Sequence, residues 1–222
     1  MDKREFKITA DGSHTLYVEG LDETYHSKHG AIQEAVHVFI AAGLNYIQQT
    51  QINVLEIGFG TGLNAFLTLL AAEKTNAEIN YTGIEAFPLE QTIISKLNYT
   101  AELKSTDKEK QLFTKLHQVE WEGYQKITDN FNLTKTKIEL ADFKTSQQFD
   151  VIYFDAFGPR VQPEMWTETI FKNMYSCLVE GGVLVTYCAK GSVKRALKAV
   201  GFKVEPLPGP PGKREMMRAI KL

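Results

Sequence analysis

The chain has 222 residues, 43% hydrophobic and 23% charged, which leaves room for one α/β core that buries roughly 70% of the surface exposed by the unfolded form. No apolar run approaches the roughly 20 residues that cross a bilayer, and the opening MDKREFKITADG has neither the apolar stretch nor the cleavage site of an export signal, so the expected location is cytoplasmic. With 25 basic and 27 acidic side chains the net charge is −2, which excludes a global electrostatic drive toward nucleic acid; only the end of the chain, from Lys190 onward, is locally basic.

Phe6 to Leu21 places two alternating runs around Asp11-Gly12, a pair that favours hairpin turns, so the chain is expected to open with an antiparallel ribbon. Beyond Gly30, the apolar Ile32, Val36, Phe39 and Ile40 recur at helical spacing, and Gly43 supplies a stop. Residues 1–50 therefore read as a hairpin-and-helix extension. INVLEIG (52–58) is a short, nearly continuous apolar run of the kind buried in parallel sheets. After it the patterns alternate: helix 63–74, strand 79–85, a helix from Pro88, strands 137–140 and 149–155, helix 163–178, strand 183–188, helix 192–200 and a final strand EMMRAIKL. Such alternation predicts an α/β fold, a mostly parallel sheet with helices on both faces, in one domain over 1–222. Residues 104–136 break the rhythm and read as an insertion, helical around 112–127. Cys177 and Cys188 fall in a predicted helix and a predicted strand and read as reduced core thiols. His26, His29 and His37 lack the cysteine or paired carboxylate that would complete a ligand set, so no metal is expected.

The chemistry concentrates at strand ends. In VLEIGFGTGLN (54–64), Gly58, Gly60 and Gly62 fall where a buried strand turns into a helix, a place where glycines let the backbone approach a ligand beside free helix N-terminal amides. A dinucleotide fingerprint would need glycine at position 63, where Leu63 stands. Glu56 followed by GxGxG is similar to the first motif of Rossmann-like, class I S-adenosylmethionine-dependent methyltransferases, whose loop, here with Phe59, Thr61 and Asn64, faces a sulfonium amino acid. Glu85 ends the next strand, where an acid accepts from both ribose hydroxyls. Asp142 takes the position that in this class holds the adenine amino group, with Phe143 as stacking neighbour. Ligands in open α/β sheets bind at the carboxyl ends of strands, and Gly58, Glu85, Asp142 and Asp155 all fall there.

DAFGP (155–159) followed by PEMWT (163–167) resembles the signature of MnmC-type tRNA methyltransferases of the 5-methylaminomethyl-2-thiouridine pathway. DGSHTLY, YHSKHGAIQE, HVF, EIGFGTGLN, IEAFPL and GKREM extend the resemblance over nearly the whole chain. Ala156 and Gly158 depart from the usual small residues of the loop, and Pro210 and Pro211 from the glycine-aromatic stretch before KREM. The resemblance implies methyl transfer from S-adenosyl-L-methionine to the primary amine of 5-aminomethyl-2-thiouridine at the tRNA wobble position. It implies Asp155 as the residue that accepts a proton or hydrogen bond from the amine, Tyr25 over the methionine part, and Phe157 and Trp166 beside the base. Lys190, Lys194, Arg195, Lys213 and Arg214 are the expected phosphate contacts. Bifunctional members continue into a flavin-dependent oxidoreductase; ending at Leu222, this chain is expected to be the methyltransferase alone, with a separate oxidase as partner. The alternatives left open are a methyltransferase for another amine, small-molecule or protein, a nicotinamide-dependent oxidoreductase, and a binding module without turnover.

Overall fold

The computed structural model describes residues 3–75 and 77–222. Its first elements are β1 (Arg4–Ile8) and β2 (His14–Val18), paired antiparallel about the Asp11-Gly12 turn, with the two-residue β3 (Glu23–Thr24) added on β2. This small sheet shares no strand with the main one. Helix α1 (Ala31–Ala35) runs on into a wider π-helical turn over Val36–Ala41. Its buried face is Ala31, Glu34, Ala35, Val38 and Phe39 rather than the expected 32/36/39/40 stripe, and Val36 is exposed. The widened turn changes the angular step per residue, so a 3.6-residue count drifts off the packed face.

The main sheet is built from β4 (Gln51–Ile57), β5 (Glu78–Glu85), β6 (Tyr124–Thr128), β7 (Phe131–Lys137), β8 (Phe149–Phe154), β9 (Leu178–Thr186), β10 (Lys203–Pro208) and β11 (Glu215–Ile220). Their order is β10-β11-β9-β8-β4-β5-β7-β6. The five inner strands β9, β8, β4, β5 and β7 are parallel; β11 and β6 run against them, and β10 pairs antiparallel with β11 at the edge. From β4 the chain first builds outward through β5 to β7, then returns to β8 on the other side. The crevice at this reversal, above the ends of β4, β5 and β8, is where open α/β sheets take ligands.

Helices α2 (Leu63–Thr75) and α5 (Asp107–Gln118) cover one face with α1, while α6 (Glu168–Cys177) and α7 (Gly191–Ala199) cover the other. Short α3 (Gln91–Ile94) and α4 (Tyr99–Glu102) connect β5 to α5. Strand alternation feeds two cores: Val151 and Tyr153 of β8 point to one, and Ile152 and Phe154 to the other. Cys177 and Cys188 are free and buried in the second. Among the described residues no helix is long and apolar enough to cross a membrane.

Several boundaries differ from the sequence reading. The strand expected at 137–140 is β7, six residues earlier; its buried Asn132 and Lys135 disguise the apolar pattern. The helix expected around 112–127 starts at a Thr106/Glu109 capping box and stops at Gln118, because the chain turns at Glu122-Gly123, both at positive φ, into the β6/β7 hairpin. Helix 163–178 is split by Thr167, which caps α6 through Ile170 N–H after a 3₁₀ turn over Pro163–Trp166. Strand β10 was not expected; Pro206 and Pro208 are tolerated because it is an edge strand.

Candidate active site

A cavity of about 610 Å³ opens above the ends of β4, β5 and β8, within the 300–1,000 Å³ range of small-molecule sites. Its floor is the Gly58–Thr61 loop with Leu63 and Asn64 of α2, one wall is Glu85–Pro88, another is Asp155–Phe157, and Arg4, Val18, Leu21 and Tyr25 of the N-terminal ribbon roof it. Gly58 has φ 87 and lies where a Cβ would come within 2.9 Å of the Asp155 carbonyl oxygen. Gly60 has φ 47 and faces the Tyr25 ring, with 3.3 Å left for a Cβ. Both positions demand glycine for conformation and for closeness of approach.

The loop is held by an acid. Glu85 accepts from Gly60 N–H through Oε2 (2.9 Å) and from Phe87 N–H through Oε1 (2.9 Å). The carboxylate at the end of β5 is thereby fixed at the cavity edge. Below the loop, the Asn64 carboxamide donates both to Glu56 Oε1 (2.9 Å) and to Asp155 Oδ2 (2.8 Å). Burial drives the Glu56 carboxyl well above the usual carboxylate range, and the neighbouring Asp155 adds to the rise. The Asp155 carboxyl is also raised well above its ordinary value, first by burial, with the Asn64 hydrogen bond and the Lys213 ammonium opposing and Glu34 reinforcing. Glu56, buried beneath the cavity, and Asp155, half-buried in its wall, are thus held toward their neutral forms until a positive charge comes to lie beside them.

Aromatic groups share the cavity lining with Asp155. Tyr25 packs edge-to-face on Phe157 with ring centroids 5.2 Å apart, and burial pushes its hydroxyl up to about 12. The Tyr187 hydroxyl donates to Ala156 O (2.8 Å) and the Trp166 indole N–H to Phe157 O (2.8 Å). Both bonds pin the loop after β8 by its backbone.

Of the expected site residues, the structure brings Tyr25, Gly58, Phe59, Gly60, Thr61, Asn64, Glu85, Asp155 and Phe157 into one cavity wall. Glu56 lies just beneath, reached through Asn64, and Gly62 packs against His117 behind the loop. Asp142 and Phe143 are not in the wall: Asp142 is exposed, Phe143 is buried in core, and Ile138, Glu139 and Leu140 line the cavity instead. The earlier end of β7 and the turn closed by Asp142 N–H on Glu139 O account for this shift. Trp166, expected at the base pocket, is 6% exposed and packs among Phe154, Phe171 and Tyr187, leaving Gln162 and Met165 at the wall. Lys213 is not an open phosphate contact: its ammonium pairs with Glu34 at 2.5 Å and lies 3.9 Å above the Tyr187 ring. Glu34 is 6% exposed and also accepts from Ser27 N–H at 2.8 Å, so the YHS and GKRE segments are joined. Lys190, Arg195 and Arg214 are exposed and Lys194 is half-buried. Among the cavity residues that were not anticipated are Arg4, Leu21 and Tyr187; nothing in their local sequence sets them apart.

The arrangement fits an adenosyl sulfonium ligand: glycines that would clash as any other residue, an acid at the end of β5 for vicinal hydroxyls, and carboxyls for positive charge. Comparison with known proteins agrees. The family model described as S-adenosyl-L-methionine-dependent methyltransferase matches residues 103–222. The chain is 33% identical over 225 residues to the tRNA 5-methylaminomethyl-2-thiouridine biosynthesis bifunctional protein MnmC of Leptospira interrogans, covering 95% of this chain and 34% of that protein. An uncharacterized protein of Methanocaldococcus jannaschii is 30% identical over 196 residues, covering 88% of this chain and 53% of its own length. The chain thus spans about a third of the MnmC relatives it matches. The crystal structure of MnmC2 from Aquifex aeolicus superposes with a TM-score of 0.79 at 24% identity, over 99% of this chain and 70% of that one, which fixes the fold as class I methyltransferase-like. The chain belongs to the S-adenosyl-L-methionine-dependent methyltransferases.

Proposed function

We propose that the chain methylates the primary amine of 5-aminomethyl-2-thiouridine at the wobble position of tRNA, giving the methylaminomethyl product. The observation that carries this reading is the Asp155 carboxyl, held by Asn64 at the wall of the cofactor cavity that Tyr25 and Phe157 also line. The names of the MnmC relatives support the acceptor. In this reading residues 1–222 act as one methyltransferase unit, working in the cytoplasm on tRNA, with an oxidase generating the amine.

Bound S-adenosylmethionine supplies an electrophilic methyl on a sulfonium. Gly58, Phe59, Gly60, Thr61 and Asn64 would cradle its amino-acid end, Glu85 would take the ribose hydroxyls, Tyr25 would cover the cradle, and Leu140 and Glu139 would flank the base. An alkylamine has a pKa of about 10, so baring its lone pair at neutral pH costs about 4 kcal/mol. Asp155 accepts the amine's proton or hydrogen bond and orients the nitrogen. Its raised affinity for protons, a consequence of burial, suits a base better than an ordinary aspartate would. Phe157 and Met165 offer apolar surface for the uracil ring. Arg214, Lys190, Lys194 and Arg195 supply cations for anticodon-stem phosphates.

The test is transfer of labelled methyl to tRNA carrying 5-aminomethyl-2-thiouridine, followed by nucleoside mass analysis. A gain of one methyl on that nucleoside is expected, and none on tRNA lacking it. Cofactor binding without transfer overturns the acceptor assignment.

A further inference from the structure

Three carboxylates line the cavity, Glu85, Glu139 and Asp155, against two strongly basic side chains, Arg4 and Lys137. The two cations sit differently. Lys137 ends β7 and is exposed at the rim. Arg4 starts β1 opposite Val18, in the ribbon that roofs the cavity. Its Nε is buried without a hydrogen-bond partner. Among the described residues no carboxylate forms an ion pair with its guanidinium. The group lies near the Tyr25 hydroxyl, whose rise in pKa it opposes.

A guanidinium drawn partly out of water with no counter-ion is unfavourable unless a ligand brings the anion. The cofactor carries one carboxylate, at its amino-acid end, and an RNA acceptor carries phosphates; a guanidinium fork binds either oxyanion in bidentate geometry. We propose that Arg4 is the anion-binding residue of this cavity, pairing at the ribbon wall with an oxyanion of the bound ligand, the cofactor carboxylate or an RNA phosphate. The first source rests on the family's cofactor alone, the second on the proposed acceptor. The assignment makes the ribbon a binding element rather than a cover.

Isothermal titration of wild type, Arg4→Gln and Arg4→Lys with S-adenosylmethionine and with decarboxylated S-adenosylmethionine distinguishes the sources, together with tRNA binding at several salt concentrations. If the carboxylate is the partner, Arg4→Gln weakens S-adenosylmethionine binding by about tenfold or more, as loss of a charge-assisted pair does. The decarboxylated form is then bound as well as by wild type, and Arg4→Lys recovers part of the loss. If a phosphate is the partner, both cofactor forms bind unchanged, while tRNA binding weakens and its log–log salt slope falls by about one unit. Equal weakening of both cofactor forms, or no change with any of the three ligands, overturns the proposal. The cofactor titrations need no methyl acceptor, so a wild-type protein that binds cofactor yet fails to methylate tRNA counts against the proposed function and not against Arg4.

Discussion

Asn64 is joined to Asp155 by a 2.8 Å hydrogen bond from its carboxamide, and the same nitrogen reaches Glu56 at 2.9 Å. One amide thus links the strand that begins the cofactor loop to the strand that ends in the candidate base. Asn64→Leu removes the donor from one buried and one half-buried carboxyl. It is expected to destabilise the fold by about 1–3 kcal/mol, the cost of leaving buried acceptors unsatisfied. Urea denaturation measures this, and an unchanged midpoint would show that the bridge contributes nothing.

Asp155→Asn keeps the shape and the proximity to Asn64 while abolishing the base. Methyl transfer is expected to fall by about 10²–10⁴-fold, as for loss of a general base, with cofactor affinity altered far less. Retention of more than half the wild-type rate on aminomethyl-bearing tRNA would assign Asp155 to holding the loop alone.

The raised carboxyls of Glu56 and Asp155 share Asn64 and titrate as a pair. A sulfonium bound beside them favours their ionised forms, so binding S-adenosylmethionine near neutral pH is expected to release protons. Calorimetric titration in two buffers of different ionisation enthalpy reads the release directly. The Asp155→Asn variant should release fewer, and equal apparent enthalpies in both buffers for wild type would refute the coupling.

Acid sensitivity is expected from two imidazoles. Burial holds His26 down to about 4, and burial with the nearby Lys135 ammonium holds His117 down to about 3, against an ordinary 6.5. A base with a depressed pKa binds fewer protons folded than unfolded, so stability falls as pH drops from 6.5 toward 4. At pH 5 the loss is on the order of 2 kcal/mol per imidazole. Urea midpoints at pH 7 and pH 5 should show it, with a flatter response in His117→Gln; pH-independent midpoints would contradict it.

Lys213 and Arg214 are neighbours with different expected phenotypes. Lys213→Gln leaves the buried Glu34 without its cation and should lower thermal stability. Arg214 is exposed, so Arg214→Gln should leave stability within about 0.5 kcal/mol while lowering the salt slope of tRNA binding. Identical behaviour of the two variants in melting and in RNA titration would sink this division.

Much of the site was legible because its chemistry obeys local rules. EIGFGTG announces a strand-to-helix turn of glycines, and Glu85 and Asp155 end runs apolar enough to be buried strands. What stayed hidden depends on contacts between distant segments. Lys135 is 1% exposed, with its ammonium 4.9 Å above the Trp121 ring and donating to His117 O; a lysine in a core strand reads as solvent-facing, so the sequence pattern sets the strand too late. That displacement moves the expected strand end to Asp142, whereas Ile138, Glu139 and Leu140 line the cavity. Trp166 looked like a base contact because an indole at a loop end is equally suited to stacking and to packing, and only its bond to Phe157 O decides. Arg4 gives no signal, since its position depends on how the ribbon folds over a cavity whose far walls come from β4, β5, β8 and the loops after them.

The ribbon gives Arg4, Val18, Leu21 and Tyr25 to the cavity yet shares no strand with the central sheet. Side chains on it can be exchanged without rewriting the register on which that sheet's folding depends. Substitution therefore has two separate materials to work on: a floor where Gly58 and Gly60 leave little room for a Cβ, and a roof whose side chains change what the cavity meets without touching the strands beneath.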